Sequence, residues 1–179
     1  MDLFSVALDG MASQHYGRPP NTDKLLAYLL VDRLDVDQAF DWAIGALEAG
    51  FDNEALRVLA SLSLSYEPSI YEARPYLSAA LRELQITEEQ PKEAVLRAYG
   101  HRIAIELAAG LIPAALALNE MHSVVVSPLD HPPDLMGWCY LWEGNHADGS
   151  FAEMSDQEAE QEARAFAATW LANFSRKPI

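Results

Sequence analysis

The chain has 179 residues, of which 50% are hydrophobic and 22% charged, so it can bury a core and is not a wholly disordered protein. Its formal net charge of −15 repels phosphate groups, which argues against nucleic-acid binding and against docking on anionic membranes. The single cysteine, Cys139, excludes an internal disulfide and fits a reducing cytoplasm. We expect one cytoplasmic domain over 1–179, with an N-terminal segment over 1–20 and a loose tail over 175–179.

Helix signals begin near residue 22 and recur through most of the chain. The apolar surface of residues 22–34 is broad enough for a buried helix. Asp35 and Gln38 have the spacing of a capping box, and the helix after them is predicted to end at Gly50. Asp52 is predicted to cap a short partner helix. The stretch DWAIGALEAGFDNEALRVLASL is therefore predicted to form a helical hairpin.

Two further helix starts are predicted in the middle of the chain. Ser69 and Glu72 form a second capping box, but Pro75 interrupts the helix that would follow, so we expect regular structure to begin near that proline. Thr87 and Gln90 have the same spacing and predict the start of a long helix. Its buried side is predicted to consist of four residues at helical spacing: Val95, Tyr99, Ile103 and Leu107.

The last third departs from simple helical periodicity. Val124 to Val126 are β-branched and precede Pro128, which predicts an extended connection or a short strand. Asp130 is predicted to cap the helix that carries the following aromatic run. Ser155 and Glu158 form another capping box, and the final helix is predicted to bury four residues: Ala163, Phe166, Trp170 and Phe174.

These signals predict an all-α protein, packed as an irregular helical bundle or a short α-superhelix of about seven to nine helices. Setting Gly50 on Gly110 aligns Leu56 with Leu116, which we interpret as two similar helix pairs rather than a repeat array. The hairpin ALEAGFDNEALRVLASL resembles one tetratricopeptide unit. Together with YLSAALRELQI and IAIELAAGLIPAALAL, it is similar to small, uncharacterised all-helical proteins of bacteria. That resemblance covers about residues 40–118 and implies no activity and no catalytic residue.

One stretch of the last third is rich in side chains of metal-ligand type. We interpret it as a polar surface loop, because it contains a single Glu-x-x-His pair, whereas a helical di-iron site needs two, and because it does not match an EF-hand. The alternative is a metal-dependent hydrolase or sensor, for which the weak candidate ligands are His122, Asp130, His131 and His146. The remaining members of the stretch are Asp134, Glu143 and Asp148. No cofactor is expected.

The residues that could be catalytic are better explained by structural roles. The sequence has no nucleophile elbow, phosphate-binding loop or zinc-protease motif. Cys139 lies between Trp138 and Tyr140, which predicts a buried, inert thiol rather than a nucleophile. Glu106 interrupts the apolar run of a core helix, and Arg102 one turn earlier is the predicted ion-pair partner.

The charge distribution favours a protein-binding function. Residues 111–174 contain ten acidic and one basic side chain, so this region could attract a basic protein, as an immunity protein covers a nuclease toxin. Homo-oligomerisation is a further hypothesis. The aromatic cluster Trp138, Tyr140 and Trp142 is explained alternatively by packing of these rings against Phe166 and Trp170. The candidate protein-binding residues are Trp138, Tyr140, Trp142, Glu158 and Glu162.

Overall fold

The computed structural model of the chain describes residues 17–64, 68–86, 90–144 and 155–174. The described residues form eight α-helices and no β-strand, which confirms the predicted all-α class. None of these helices combines the length and low polarity that a membrane crossing requires. In chain order they are α1 (Thr22–Leu30), α2 (Val36–Glu48), α3 (Glu54–Leu62), α4 (Ile70–Glu83), α5 (Lys92–Ala108), α6 (Ala114–Glu120), α7 (Met136–Gly144) and α8 (Asp156–Phe174).

The described residues divide into two compact units. The first contains those within Met1–Leu25 and Arg33–Glu89, and the second contains those within Leu26–Asp32 and Gln90–Ile179. Helix α1 therefore contributes its first turn to the first unit and its remainder to the second. The tail over 175–179 and most of the predicted N-terminal segment, namely residues 1–16, lie outside the described residues.

In the first unit, α2 begins and ends where the sequence predicts. The Asp35 carboxylate accepts a hydrogen bond from the backbone N–H of Gln38 at 2.8 Å, and the Gln38 side chain accepts one from the N–H of Asp35 at 3.1 Å. At the other end, Gly50 has a φ of +88°, a left-handed conformation that glycine adopts without steric penalty. The capping box and the helix-ending glycine are thus confirmed.

The cap of α3 lies one residue later than predicted. Asn53, not Asp52, accepts a hydrogen bond from the N–H of Leu56 at 2.8 Å. Asp52 instead forms an exposed ion pair with Arg57 at 2.6 Å. The prediction for Asp52 is wrong because two adjacent residues of cap type compete, and only Asn53 has the required register. Helix α3 then buries Ala55, Leu56 and Leu59.

Helix α4 begins at Ile70, directly after Ser69, which is the first residue of the predicted capping box. Ser69 and Glu72 form both hydrogen bonds of that box. Pro75 is the sixth residue of the helix, so the prediction that regular structure begins there is wrong. Proline removes one helical hydrogen bond, but its ring is exposed, and the cap and the buried face outweigh the loss. That buried face consists of Ala73, Leu77, Ala80 and Leu81.

In the second unit, α5 begins at Lys92, after Pro91, without a side-chain cap. The predicted cap residue Thr87 lies outside the described residues, and Gln90 precedes the helix. The four predicted buried residues Val95, Tyr99, Ile103 and Leu107 are all buried. A Cβ atom on Gly100 would lie 3.1 Å from Val125 and 3.2 Å from Met121, so the missing side chain permits close packing.

A half-buried carboxylate joins three helices of the second unit. Glu120, the last residue of α6, accepts hydrogen bonds from the hydroxyl of Tyr28 at 2.5 Å and of Tyr99 at 2.7 Å. Burial and the bond to Glu120 raise the pKa of Tyr99, so this phenol stays protonated and acts as a donor. Arg102 lies 5.2 Å from the Tyr99 ring centroid and pairs with Glu106 at 3.8 Å, as the sequence predicts.

Helix α8 begins with the predicted capping box of Ser155 and Glu158. Its buried residues are Ala163 and Ala167, while Phe166 and Trp170 are partly exposed. Phe174 is 39% exposed, so its predicted burial is wrong. As the last residue of the helix it stacks on Trp170, with ring centroids 5.2 Å apart, and covers only one side of that ring.

Candidate metal centre

An irregular helical stretch of the second unit carries the first predicted ligand. Met121–Val126 continues α6 as a π-helical turn, and Ser127–Leu129 follows as a 3₁₀ turn. The prediction of an extended connection or strand over Val124 to Val126 is therefore wrong. These valines are buried, and Pro128 lies in the first turn of the 3₁₀ segment, where its fixed φ is compatible with a helical turn.

The turn after this stretch has an uncommon backbone. Asp130 and His131 both adopt left-handed conformations, with φ values of +62° and +55°. Such conformations cost about 1 kcal/mol or more for residues other than glycine. The N–H groups of the two residues donate to Ser127 O at 3.0 Å and Val126 O at 3.1 Å. Asp130 therefore ends a helical stretch, and the prediction that it caps the next helix is wrong.

Helix α7 runs back along the π-helical turn and completes the hairpin. The 3₁₀ turn Pro133–Leu135 leads into α7. Asp134 in this turn accepts two hydrogen bonds from the Arg97 guanidinium of α5, at 2.6 and 3.3 Å. This bidentate ion pair fixes the chain immediately after His131.

The hairpin brings three metal-ligating side chains together. His122 lies on the outgoing π-helical turn, His131 in the reversal and Cys139 on α7, and their ligand atoms are all within 4.8 Å of one another. Ligands on one zinc ion, with bond lengths of about 2.0–2.3 Å, lie roughly 3.5 Å apart. The cluster therefore needs a contraction of about 1 Å to enclose an ion. His131 is exposed and can rotate to supply it.

The surroundings orient two of these side chains. The His122 ring stacks on Trp142 of α7, with centroids 3.8 Å apart and planes 6° apart. Cys139 is buried, and this burial, with a smaller contribution from the Glu143 carboxylate, raises the pKa of its thiol. The thiol is therefore protonated at neutral pH without a bound cation, which agrees with the prediction that it is not an activated nucleophile.

The structure separates the predicted metal candidates. His122 and His131 converge, whereas Asp130 is exposed in the turn and is not part of the converging group. His146 and Asp148 lie outside the described residues. Cys139, which the sequence predicts only as a buried thiol, is the third converging side chain and was not among the predicted metal candidates. Its signal is the spacing around the turn, since His122 and Cys139 lie at similar distances along the chain on either side of residue 131.

The predicted protein-binding residues differ widely in exposure. Trp138 is fully buried and packs edge-on against Phe166 and Trp170, with centroids 5.0 and 5.7 Å apart, so it has no surface to offer a partner. For Trp138, the structure therefore agrees with the alternative prediction that the aromatic cluster packs against Phe166 and Trp170. Trp142 is half-buried against His122, and Tyr140 is 64% exposed.

The acidic candidates lie at the start of α8. Glu158 and Glu162 are exposed. Hydrogen bonds from Ser155 to Glu158 lower the pKa of that carboxyl, so it keeps its charge in mildly acidic solution. Glu160, between them, has another function, because it accepts a hydrogen bond from the Ala114 N–H at 2.7 Å and thereby caps α6.

Comparison with known proteins adds no relative. No protein-family model, no curated protein and no solved structure matches this chain.

Proposed function

We propose that this protein binds a single thiophilic transition-metal ion, Zn²⁺ or Cu⁺, through His122, His131 and Cys139, and that it acts as a metal sensor. The observation that carries the proposal is the convergence of three ligand atoms from separate segments within 4.8 Å. Imidazole and thiolate are the ligands that Zn²⁺ and Cu⁺ share, whereas Mg²⁺ and Ca²⁺ require oxygen ligands.

Binding at this position has a consequence that fits sensing. The ion would join the outgoing helical turn, the reversal and α7 of one hairpin. A ligand that binds the folded state alone stabilises that state by about 2.7 kcal/mol at a concentration one hundred times its Kd. Binding of the ion would therefore stabilise and stiffen the hairpin, and another molecule can recognise such a change.

The test is a titration of metal-free, reduced protein with Zn²⁺ and, under anaerobic conditions, with Cu⁺. We expect one ion per chain with either metal and a rise in the melting temperature. His131→Gln should reduce the affinity by at least about tenfold, and because His131 is exposed its replacement leaves the core intact. The matched control is His101→Gln, since His101 packs on Trp170 and Phe174 and is outside the cluster. Substoichiometric binding by the parent protein, or full affinity in His131→Gln, would contradict the proposal.

A second candidate function is binding of a basic protein by the acidic C-terminal region. The observation that favours it is the exposure of Glu158 and Glu162 together with Tyr140. A pull-down from the source cell at low and high salt tests it. We expect one dominant basic partner that is lost at high salt and in the double variant Glu158→Gln, Glu162→Gln. That partner should remain with Glu83→Gln, an exposed carboxylate of the first unit. Absence of a partner at low salt would remove this candidate.

A further inference from the structure

A carboxylate follows one of the three converging side chains on the same helix. Glu143 follows Cys139 by one helical turn on α7, so the two side chains share a face, with Cβ atoms about 5–6 Å apart. The electrostatic interaction of the Glu143 carboxylate with the Cys139 thiol reflects the same proximity. Glu143 is exposed, and within the described residues no hydrogen bond or ion pair holds it.

The coordination chemistry of the two candidate ions differs at this point. Three protein ligands leave one position open on a tetrahedral Zn²⁺, and a carboxylate oxygen at about 2.0–2.2 Å is an ordinary zinc ligand. Cu⁺ is a soft ion that prefers sulfur and imidazole nitrogen and gains little from a carboxylate. A fourth oxygen ligand would therefore favour Zn²⁺ over Cu⁺.

We propose that Glu143 is the fourth ligand of the ion held by His122, His131 and Cys139, and that it makes the centre selective for Zn²⁺. This inference rests on the proposed metal-binding function. The Glu143 oxygens are not among the converging atoms, so the side chain must rotate toward the ion, and its two methylene groups give it the length to do so from a helix that already supplies one ligand. Asp130 is the competing carboxylate, but its side chain is one methylene shorter and lies in the left-handed turn rather than on the helix that supplies Cys139.

The experiment compares Glu143→Gln with the parent protein in competition against a chromophoric chelator, using Zn²⁺ and Cu⁺ in separate titrations. We expect the Zn²⁺ affinity to fall by about 10- to 100-fold, the size of effect known when a partner of a metal site is removed. The Cu⁺ affinity should remain within about twofold, because its soft ligands are unchanged. The control is Glu162→Gln, which removes the same charge from an exposed position on α8.

The outcomes separate this inference from the proposed function. If the parent protein binds Zn²⁺ and Glu143→Gln binds it equally well, Glu143 is not a ligand, whereas the three-ligand centre stands. Equal weakening of Zn²⁺ and Cu⁺ would show a general effect of charge or folding and would also overturn the inference. A loss of Zn²⁺ affinity in Asp130→Asn but not in Glu143→Gln would assign the fourth position to Asp130. If the parent protein binds neither ion, the proposed function itself is wrong.

Discussion

The two hairpins of the chain, α2 with α3 in the first unit and α6 with α7 in the second, reverse direction by different means. The first uses a capping box, a glycine with positive φ and an asparagine cap, all of which act within a few residues. The second passes through a π-helical turn and two left-handed residues that are not glycine. A hairpin of the first kind is specified locally, whereas one of the second kind depends on tertiary contacts such as the Arg97 to Asp134 ion pair.

The largest expected effect is a difference in stability between variants at two positions that are equivalent when Gly50 is aligned with Gly110. Leu56 and Leu116 are equivalent when Gly50 is set on Gly110, but Leu56 is 0% and Leu116 is 49% exposed. Leu56→Ala should lower the free energy of unfolding by about 2–5 kcal/mol, because it leaves a cavity in the core. Leu116→Ala should change it by no more than about 0.5 kcal/mol. Urea unfolding monitored by circular dichroism measures both, and equal effects would contradict the different burial of the two positions.

A smaller effect distinguishes glycines inside the two hairpins. A Cβ atom on Gly137 of α7 would lie 2.6 Å from Phe166, whose ring is itself held against Trp138. Gly137→Ala should therefore cost about 1–3 kcal/mol by overpacking. A Cβ atom on Gly45 of α2 meets nothing within 4 Å, so Gly45→Ala should stabilise the protein by about 0.5–1 kcal/mol. Thermal melts of the two variants should shift in opposite directions, and a stabilising Gly137→Ala would show that the Phe166 contact is loose.

The smallest expected effect is a pH dependence of the second unit. Burial lowers the pKa of His101 from its ordinary value of 6.5. Between that value and the lower folded-state pKa, the unfolded chain binds more protons, so the free energy of unfolding falls as the pH drops below about 6.5. Denaturant titrations at several pH values should show a shallower slope in this window for His101→Gln. An unchanged slope would show that His101 does not contribute to it.

Local signals account for most of the fold that the sequence predicted. The capping boxes at Asp35, Ser69 and Ser155 and the helix end at Gly50 all involve bonds between residues a few positions apart. Pattern reasoning captures such bonds because cap and glycine preferences are intrinsic to the chain. It failed where tertiary packing decided, as at the proline within α4.

The candidate site was predicted only in part for the same reason. The sequence marks His122 and His131 as ligand types, but the β-branched run Val124 to Val126 predicts an extended segment, which would carry the two histidines apart. Burial of those valines keeps the segment helical. The sequence neighbours of Cys139 predict only a buried thiol, because its proximity to the histidines depends on α7 returning along the π-helical turn.

The two tyrosine hydroxyls on Glu120 bear on how the protein can be divided for study. Tyr28 belongs to a seven-residue part of the second unit, Leu26–Asp32, that precedes most of the first unit in the chain. A fragment that starts at residue 90 would lack this donor and leave the Glu120 carboxylate with Tyr99 alone. No single cut between the units therefore yields an intact second half, and dissection would require residues 26–32 to be supplied as a separate peptide or rejoined by a new linker.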